Sequence, residues 1–388
     1  MNEDNKKANE DNKKAIQKIL EIQSNVNDRQ AIISILGGHS SKLGYHDFGM
    51  PSLSSQNLGP DMTPIADLYS CTTMVEFNEA LNYYMSLSYP KSEKLTNSLQ
   101  EISTTFLEYV VNTTTWGQVQ FEIRPSEGPE NVDRAIKNLK EKYLPGTDFI
   151  VFPESMSVSF VQYAEDNEKV LDDGTKLLIE NRAKFAQAAK DLGTHIIYGE
   201  MLVDIDPKTN TPGPTGYNKS VMVDETGNVF EYTKMHLWGN EGAVAGDKMA
   251  LWKTKRHSKD FNIRPLVCSD MKHWKDYLTD DADAYVVIAN FDQSALEKST
   301  KDIQEFREEA AVRGQQLIIV DNGGVPYQVP IGEKDGETIW SPPYGANMSS
   351  IHAPNELGPL SLGKGPLYTT TAIGHDGTII EIKQEALV

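Results

Sequence analysis

The sequence predicts an α/β fold, and three observations carry that prediction. From Thr115 onward, short apolar runs of strand length alternate with longer segments of helical period. Three of the runs, Phe149–Phe152, Ala284–Ala289 and Leu317–Val320, are apolar almost throughout, the mark of strands covered on both faces. Finally, Ser220–Asp224 and Val229–Tyr232 flank Glu225-Thr226-Gly227-Asn228, which reads as a hairpin turn.

Taken in order, residues 1–25 form a polar leader. Asn2–Ala8 (NEDNKKA) recurs unchanged as Asn9–Ala15. Its Glu3–Lys7 and Glu10–Lys14 pairs are worth only about 0.2–0.5 kcal/mol each on a helix. No a/d apolar seam accompanies them, so a frayed or disordered segment is expected rather than a coiled coil. From Ala15 to Val26 the pattern turns amphipathic, with Ile19, Ile22 and Val26 at helical spacing. The leader has no apolar core segment and does not read as a secretory signal. Residues 26–114 are an extension without an assignable motif. Gly37–Ser41 and Gly49–Thr63 read as loops, and Phe77–Met85 and Leu95–Val111 as helices. Gly37-Gly38 lacks the Lys-Ser/Thr pair that a phosphate-binding loop requires.

Beyond Thr115, Trp116–Ile123 alternates as a strand. Val132, Ala135, Ile136, Leu139 and Tyr143 then mark a helix with Pro129 near its start. Phe149–Phe152 is a short buried strand. A second helix carries Leu178, Phe185, Ala189 and Leu192 and is stopped by Gly193. His195–Val203, the two hairpin arms, Leu266–Cys268, Ala284–Ala289 and Leu317–Val320 are further strands, and a helix over about 294–314 precedes the last.

Net charge is -19, from 37 basic and 56 acidic residues, which opposes a nucleic-acid partner and anionic membranes alike. No run of about 18 apolar residues suggests a membrane span. The two cysteines, Cys71 and Cys268, show no disulfide framework, so a soluble cytoplasmic protein is expected.

Three segments each end an apolar run with a reactive group: Asp148–Glu154, Tyr232–Leu237 around Lys234, and Arg264–Asp270 around Cys268. Alone, Cys268 is more often a small buried hydrophobe, and Glu154 and Lys234 are ordinary strand-end residues. Together, a carboxylate, an amine and a thiol are the parts for acyl transfer through a thioester. A thiol needs a neighbouring base or cation to attack at neutral pH, a poorly hydrated carboxylate suits proton transfer, and an ammonium can hold an oxyanion. Competing sites are weak. No His-x-x-x-His pair sits beside a Glu, no Gly-x-Ser-x-Gly elbow occurs, and Cys268 with His352 lacks a papain-like signature.

In order and context the three segments resemble the Glu-Lys-Cys triad of the nitrilase (carbon-nitrogen hydrolase) superfamily. Gln120, Asn131, Gly199-Glu200, Tyr217-Asn218, Gly227, Lys234-x-His236-Leu237 with Glu241, Asn322-Gly323 and Ser349-x-Ile351-x-x-Pro354 also resemble family landmarks. The resemblance spans about residues 115–375 and implies a four-layer α-β-β-α sandwich over 115–388. It implies that Glu154 is general base and acid, and that Cys268 is the nucleophile. Lys234, helped by the Ser269 backbone N–H, would stabilise the tetrahedral intermediate, and Glu241 would orient the lysine. It implies no metal or organic cofactor, a small-molecule amide as substrate, and a homodimer or larger homo-oligomer. Candidate substrate-binding residues are Ser269, His273, Trp274, Trp238 and Tyr163; His273 and Trp274 either line the pocket or cover it. Gly239, Gly242 and Gly246 suggest a mobile loop beside it.

Three departures shape the expectation. The run after the cysteine is Ser269-Asp270-Met271-Lys272-His273-Trp274 instead of the Tyr-Asp, aromatic-Pro-Glu pattern of amidase members, and Ala310–Gly314 replaces an Arg-Ala-x-Glu-Asn stretch. The Trp-Glu of nitrile-hydrolysing members is missing too. Amide hydrolysis is therefore expected, with nitrile or N-carbamoyl hydrolysis as the alternative on the same triad. A catalytically silent scaffold is the alternative of another class.

Overall fold

The structure is a computed structural model. It describes residues 32, 35–36, 63–71, 74–87, 93–121, 123, 128–143, 145–163, 169–170, 173–206, 208–256, 259–291, 293–322, 330–334, 337–340, 349–354, 367–374, 377 and 379–387. The leader, its amphipathic continuation, and the segments Gly37–Ser41 and Gly49–Met62 lie outside the described residues.

The chain divides into two units at Thr114/Thr115. In the first, helices α1 (Thr63–Ser70), α2 (Met74–Ser86) and α3 (Glu93–Asn112) follow one another. Phe77 and Phe106 pack with ring centroids 5.5 Å apart, and Leu81, Leu95, Leu99 and Ile102 are buried with them. This matches the helical spacing of the apolar residues.

The second unit is built as β1 (Thr114–Gln120), α4 (Gly128–Lys142), β2 (Phe149–Val151), β3 (Ser157–Phe160), α5 (Asp173–Leu192), β4 (His195–Val203), β5 (Tyr217–Val223) and β6 (Val229–Thr233). It continues as β7 (Trp252–Arg256), β8 (Lys259–Val267), a 3₁₀ helix (Cys268–His273), α6 (Trp274–Tyr277), β9 (Ala284–Ile288), α7 (Gln293–Val312), β10 (Gln316–Val320), β11 (Ser349–His352), β12 (Leu367–Ile373) and β13 (Ile379–Ala386). One sheet has the order β6-β5-β4-β2-β1-β12-β13, with β3 added to β4, and the other β7-β8-β9-β10-β11. The parallel pairs β1–β2–β4 and β8–β9–β10 form the centres, with antiparallel strands outside.

Period-two alternation decides the layers. Phe149, Val151, Ile197 and Met222 join the cluster that contains Ile263, Leu266, Val286 and Ile318 of the second sheet. Their neighbours Ile150, Phe152, Ile196, Tyr198, Val221 and Val223 face the other way, onto Val132, Ala135 and Leu139 of α4 and Phe185 and Ala189 of α5. Phe306 and Ala310 of α7 cover the second sheet. The result is helices, sheet, sheet, helix: the expected α-β-β-α sandwich. Polar links cross between the sheets, with Trp116 Nε1 donating to Gln316 Oε1 at 2.8 Å and Gln118 Nε2 to the Ile319 carbonyl at 3.1 Å.

Local signals explain the ends. Pro129 stands in the first turn of α4, where its missing N–H costs nothing, with Glu130 there and Lys140 and Lys142 at the other end to match the helix dipole. Gly193 adopts φ 62° just past α5, as a helix-stopping residue does. At the hairpin, the Asp224 carboxylate accepts from the N–H groups of Thr226 and Asn228. Two expectations are corrected. The strand over 116–123 ends at Gln120 and is buried at every position, because it sits centrally between the other sheet and α4. Cys268 is not the last strand residue but opens the 3₁₀ helix, which also takes in Ser269 and Asp270.

Candidate active site

Glu154 follows β2 through a turn held on both sides. Phe152 N–H donates to the Ile197 carbonyl at 2.8 Å, and Gly199 N–H to the Pro153 carbonyl at 3.2 Å. Glu154 N–H donates to the Ala289 carbonyl of the facing sheet at 3.3 Å. Ser155 takes φ 59°, a left-handed conformation costing about 1–3 kcal/mol for a residue with a Cβ. Strained positions of this kind persist where the surroundings over-determine them. Here Gly199 helps, since a Cβ on it would lie 2.7 Å from the Glu154 Cα.

Lys234 is the first residue beyond β6. Its N–H donates to the Asn218 carbonyl at 2.8 Å, and its carbonyl accepts from Gly246 N–H at 2.8 Å. The side chain is buried, and Nζ donates to Glu154 Oε1 at 3.0 Å and Glu241 Oε1 at 2.6 Å. Asn218 Nδ2 donates to the same Glu154 Oε1 at 2.8 Å and to Glu241 Oε2 at 2.9 Å. Trp238 N–H also donates to Glu241 Oε1, at 2.6 Å. Two carboxylates thus share one ammonium and one amide. Burial opposes the charge on Lys234, but Glu154, the Cys268 sulfur and Glu241 outweigh it and raise its pKa, so the ammonium is retained.

Cys268 follows β8 at φ 47° and is partly exposed. Burial around the sulfur and the Glu154 carboxylate push the thiol well above its usual range, against the pull of Lys234; Glu241 adds to the rise and the Asn290 backbone N–H opposes it. The Cys268 turn is fixed by Asp270, which is fully buried. Asp270 Oδ2 accepts from Val267 N–H at 3.0 Å and Tyr232 O–H at 2.8 Å. Its Oδ1 accepts from His236 N–H at 2.9 Å and lies 3.0 Å from His236 Nδ1. Ser269 Oγ donates to the His236 carbonyl. The Lys234–His236 segment and the Cys268 turn are therefore pinned to each other through one carboxylate.

A small cleft opens at Cys268, with Ser269, Trp238, Lys272, Phe291 and Ser299 in its lining. Of the five residues read as substrate-binding, Ser269 and Trp238 line this cleft, and the other three sit elsewhere. Trp274 is buried and stacks on Phe306 with centroids 5.3 Å apart. His273 stacks on His236 at 3.7 Å. Tyr163 O–H donates to Asp204 Oδ1 at 2.7 Å, which pushes its phenol up to about 12. The glycine-rich segment 239–246 is pinned as well as turned: Gly242 accepts from Asp204 N–H at 2.7 Å, and Val244 N–H donates to Gly216 at 3.0 Å. Three residues escaped the sequence reading of the site. Asn218 was visible only as a landmark, Asp270 as a neighbour of Cys268, and Asn290 not at all. Among the described residues, donor atoms of His236, His273 and Asp276 lie within 4.8 Å of one another, close enough for a metal ion, though His273 and Asp276 are exposed.

Residues 117–315 match the model of the carbon-nitrogen hydrolase family, and the chain belongs to that family, within the nitrilase superfamily. Solved structures with similar chains include a cysteine-to-serine mutant of the Nesterenkonia AN1 amidase from the nitrilase superfamily. It is 16% identical, with a TM-score of 0.46 over 66% of this chain and 90% of that one. Saccharomyces cerevisiae Nit3, a member of branch 10 of that superfamily, is 17% identical, with a TM-score of 0.45 over 68% and 91%. Glutamine-dependent NAD+ synthetase from Acinetobacter baumannii is 14% identical, with a TM-score of 0.48 over 71% and 48%. No curated protein matches the chain. Among the described residues, no helix is long and apolar enough to cross a membrane.

Proposed function

We propose that the chain hydrolyses a non-peptide carbon-nitrogen bond in a small linear amide through a thioester on Cys268, and that residues 115–388 carry this chemistry. The observation that supports the reading is the buried Lys234 ammonium, held by Glu154 at 3.0 Å and Glu241 at 2.6 Å and coupled electrostatically to the Cys268 sulfur.

A resting thiol must lose its proton as it attacks, so Glu154 accepts that proton while sulfur bonds to the amide carbon. Lys234, already charged and fixed, faces the oxyanion that forms; donors of this kind are typically worth about 2.7–4 kcal/mol. Glu154 then gives its proton to nitrogen, the carbon-nitrogen bond breaks and ammonia leaves. Water attacks the thioester carbon with Glu154 taking its proton, the carbon-sulfur bond breaks, and the carboxylic acid departs as the thiol is restored. Glu241 and Asn218 position Lys234 and Glu154 throughout. Association into a homo-oligomer belongs to the same proposal, and light scattering checks it.

The test is product analysis over amides, nitriles and ureido acids with wild type, Cys268→Ala and Glu154→Gln. Ammonia release from amides, lowered at least a thousandfold by either substitution, is expected. Full hydrolysis by Cys268→Ala refutes the reading. No turnover on any substrate, with an ordinary alkylation rate at Cys268, supports a silent scaffold in its place.

A further inference from the structure

Beside the Cys268 turn lies a group of side chains that the mechanism does not use. His236 follows Lys234 by two residues, His273 closes the 3₁₀ helix, and Asp276 stands about one turn further on, in α6. Their donor atoms lie within 4.8 Å of one another. The hydrogen bonds around His236 settle where its proton sits. Tyr232 O–H donates to Asp270 Oδ2 at 2.8 Å, so toward the Tyr277 hydroxyl, 2.6 Å away, the Tyr232 oxygen is the acceptor and Tyr277 donates. The Tyr277 oxygen then faces His236 Nδ1 at 3.3 Å as an acceptor, and Asp270 Oδ1 does so at 3.0 Å. Nδ1 therefore carries the proton, and in the neutral ring Nε2 keeps its lone pair. A buried carboxylate that holds one ring nitrogen and leaves the other for a cation is the arrangement found behind metal-binding histidines. His273 and Asp276 are exposed, and among the described residues neither side chain forms a hydrogen bond or an ion pair.

We infer that His236 Nε2, a ring nitrogen of His273 and a carboxylate oxygen of Asp276 bind a divalent cation of the zinc class, with water in the fourth position. Two imidazoles and one carboxylate suit Zn2+, whereas Mg2+ and Ca2+ take oxygen ligands. With ligands about 2.0–2.2 Å from the metal, tetrahedral donor atoms stand about 3.3 Å apart, so a spread of 4.8 Å closes by about 1.5 Å on binding. His236 is anchored, and the two exposed side chains supply that movement. The rings of His236 and His273 stack 3.7 Å apart at an angle of 9°. A metal lies in the plane of each ring that binds it, so His273 turns out of the stack. Asp270 also accepts from Val267 N–H at 3.0 Å, directly before Cys268. The ion thus ties the Lys234–His236 segment to the Cys268 turn at a second point. None of the reacting groups belongs to the site, and the inference stands apart from the proposed hydrolysis.

The untagged full-length chain is titrated with Zn2+ against a chromogenic zinc indicator, and with Co2+ followed by visible absorption. One equivalent is expected to bind to wild type and to Cys268→Ala alike, with Co2+ bands that lack thiolate charge transfer. His273→Ala and Asp276→Ala alter exposed positions and should fold, and each is expected to weaken binding about tenfold or more. Zn2+ should raise the denaturation midpoint of wild type and leave that of His273→Ala where it is. Three results overturn the inference. Wild type that takes up no Zn2+ has no site. Binding lost in Cys268→Ala but intact in His273→Ala assigns the ion to the thiol. Equal affinity in wild type, His273→Ala and Asp276→Ala means an adventitious ion only.

Discussion

Gly199→Ala is the smallest change expected to disable the site without touching a reacting group. Gly199 lies in β4, with its Cα turned toward the backbone that carries Glu154. A Cβ there would stand 2.5 Å from the Ser155 nitrogen and 2.7 Å from the Glu154 Cα. Ordinary contact requires 3.4 Å or more, so strand and turn must separate by about 0.8 Å. The turn has little room to rotate instead, because Ser155 already sits at φ 59° and both flanks are hydrogen-bonded. A shift approaching 1 Å in a positioned group lowers rate by about 100-fold, or roughly 2.7 kcal/mol in the barrier. Overpacking adds about 1–3 kcal/mol of lost stability. Steady-state kinetics on an amide, with urea denaturation alongside, reads both effects, and KM is expected to move little. Gly314→Ala is the control: its φ is 71° but nothing lies within 4 Å, so stability falls by about 1 kcal/mol and kcat holds. A folded Gly199→Ala enzyme with wild-type kcat refutes the positioning of Glu154.

Three further outcomes follow from the same geometry. Burial, with Arg307 adding to it, pushes His352 down to about 4. Its folded pKa thus lies below the unfolded value near 6.5, so its contribution is complete above that pH. It is lost progressively as pH falls toward 4, by about 3 kcal/mol in all. In His352→Gln, urea titrations at pH 7 and 4.5 should differ by correspondingly less than in wild type; an equal difference contradicts this. Asp270→Asn places an amide N–H against buried donors, whichever way it turns, and should cost about 3 kcal/mol in unfolding free energy; an unchanged denaturation midpoint contradicts that. Asn218→Ala removes the bridge between Glu154 and Glu241 and should lower kcat about 30-fold with KM nearly constant, or roughly 2 kcal/mol; a pure KM effect would mean that Asn218 contacts substrate instead.

Much of the fold was legible because buried strands in a sandwich are apolar runs. Phe149–Val151, Ala284–Ile288 and Gln316–Val320 lie within a residue or so of their expected places. Helix ends were legible where one residue decides them, as Gly193 does. The polar residues at strand ends pointed to Glu154 and Lys234, whose ion pair is a property of sheet order rather than of local pattern. What escaped depends on partners far along the chain. Asp270 acts on Tyr232 and His236, more than thirty residues away, so nothing beside Cys268 signalled a buried anchor. Tyr163 and Trp274 are aromatics near the right segments, yet one is captured by Asp204 and the other by Phe306. The strands β12 and β13, which complete the first sheet beside β1, pair across some 250 residues and left no periodic sign.

Covalent capture reaches the core of the mechanism most directly. Wild-type enzyme mixed with an amide, quenched in acid during turnover and digested, should yield a peptide in which Cys268 alone has gained the mass of the acyl group, and Cys268→Ala should yield none. Steady hydrolysis without any such adduct, or an adduct on another residue, would contradict the account.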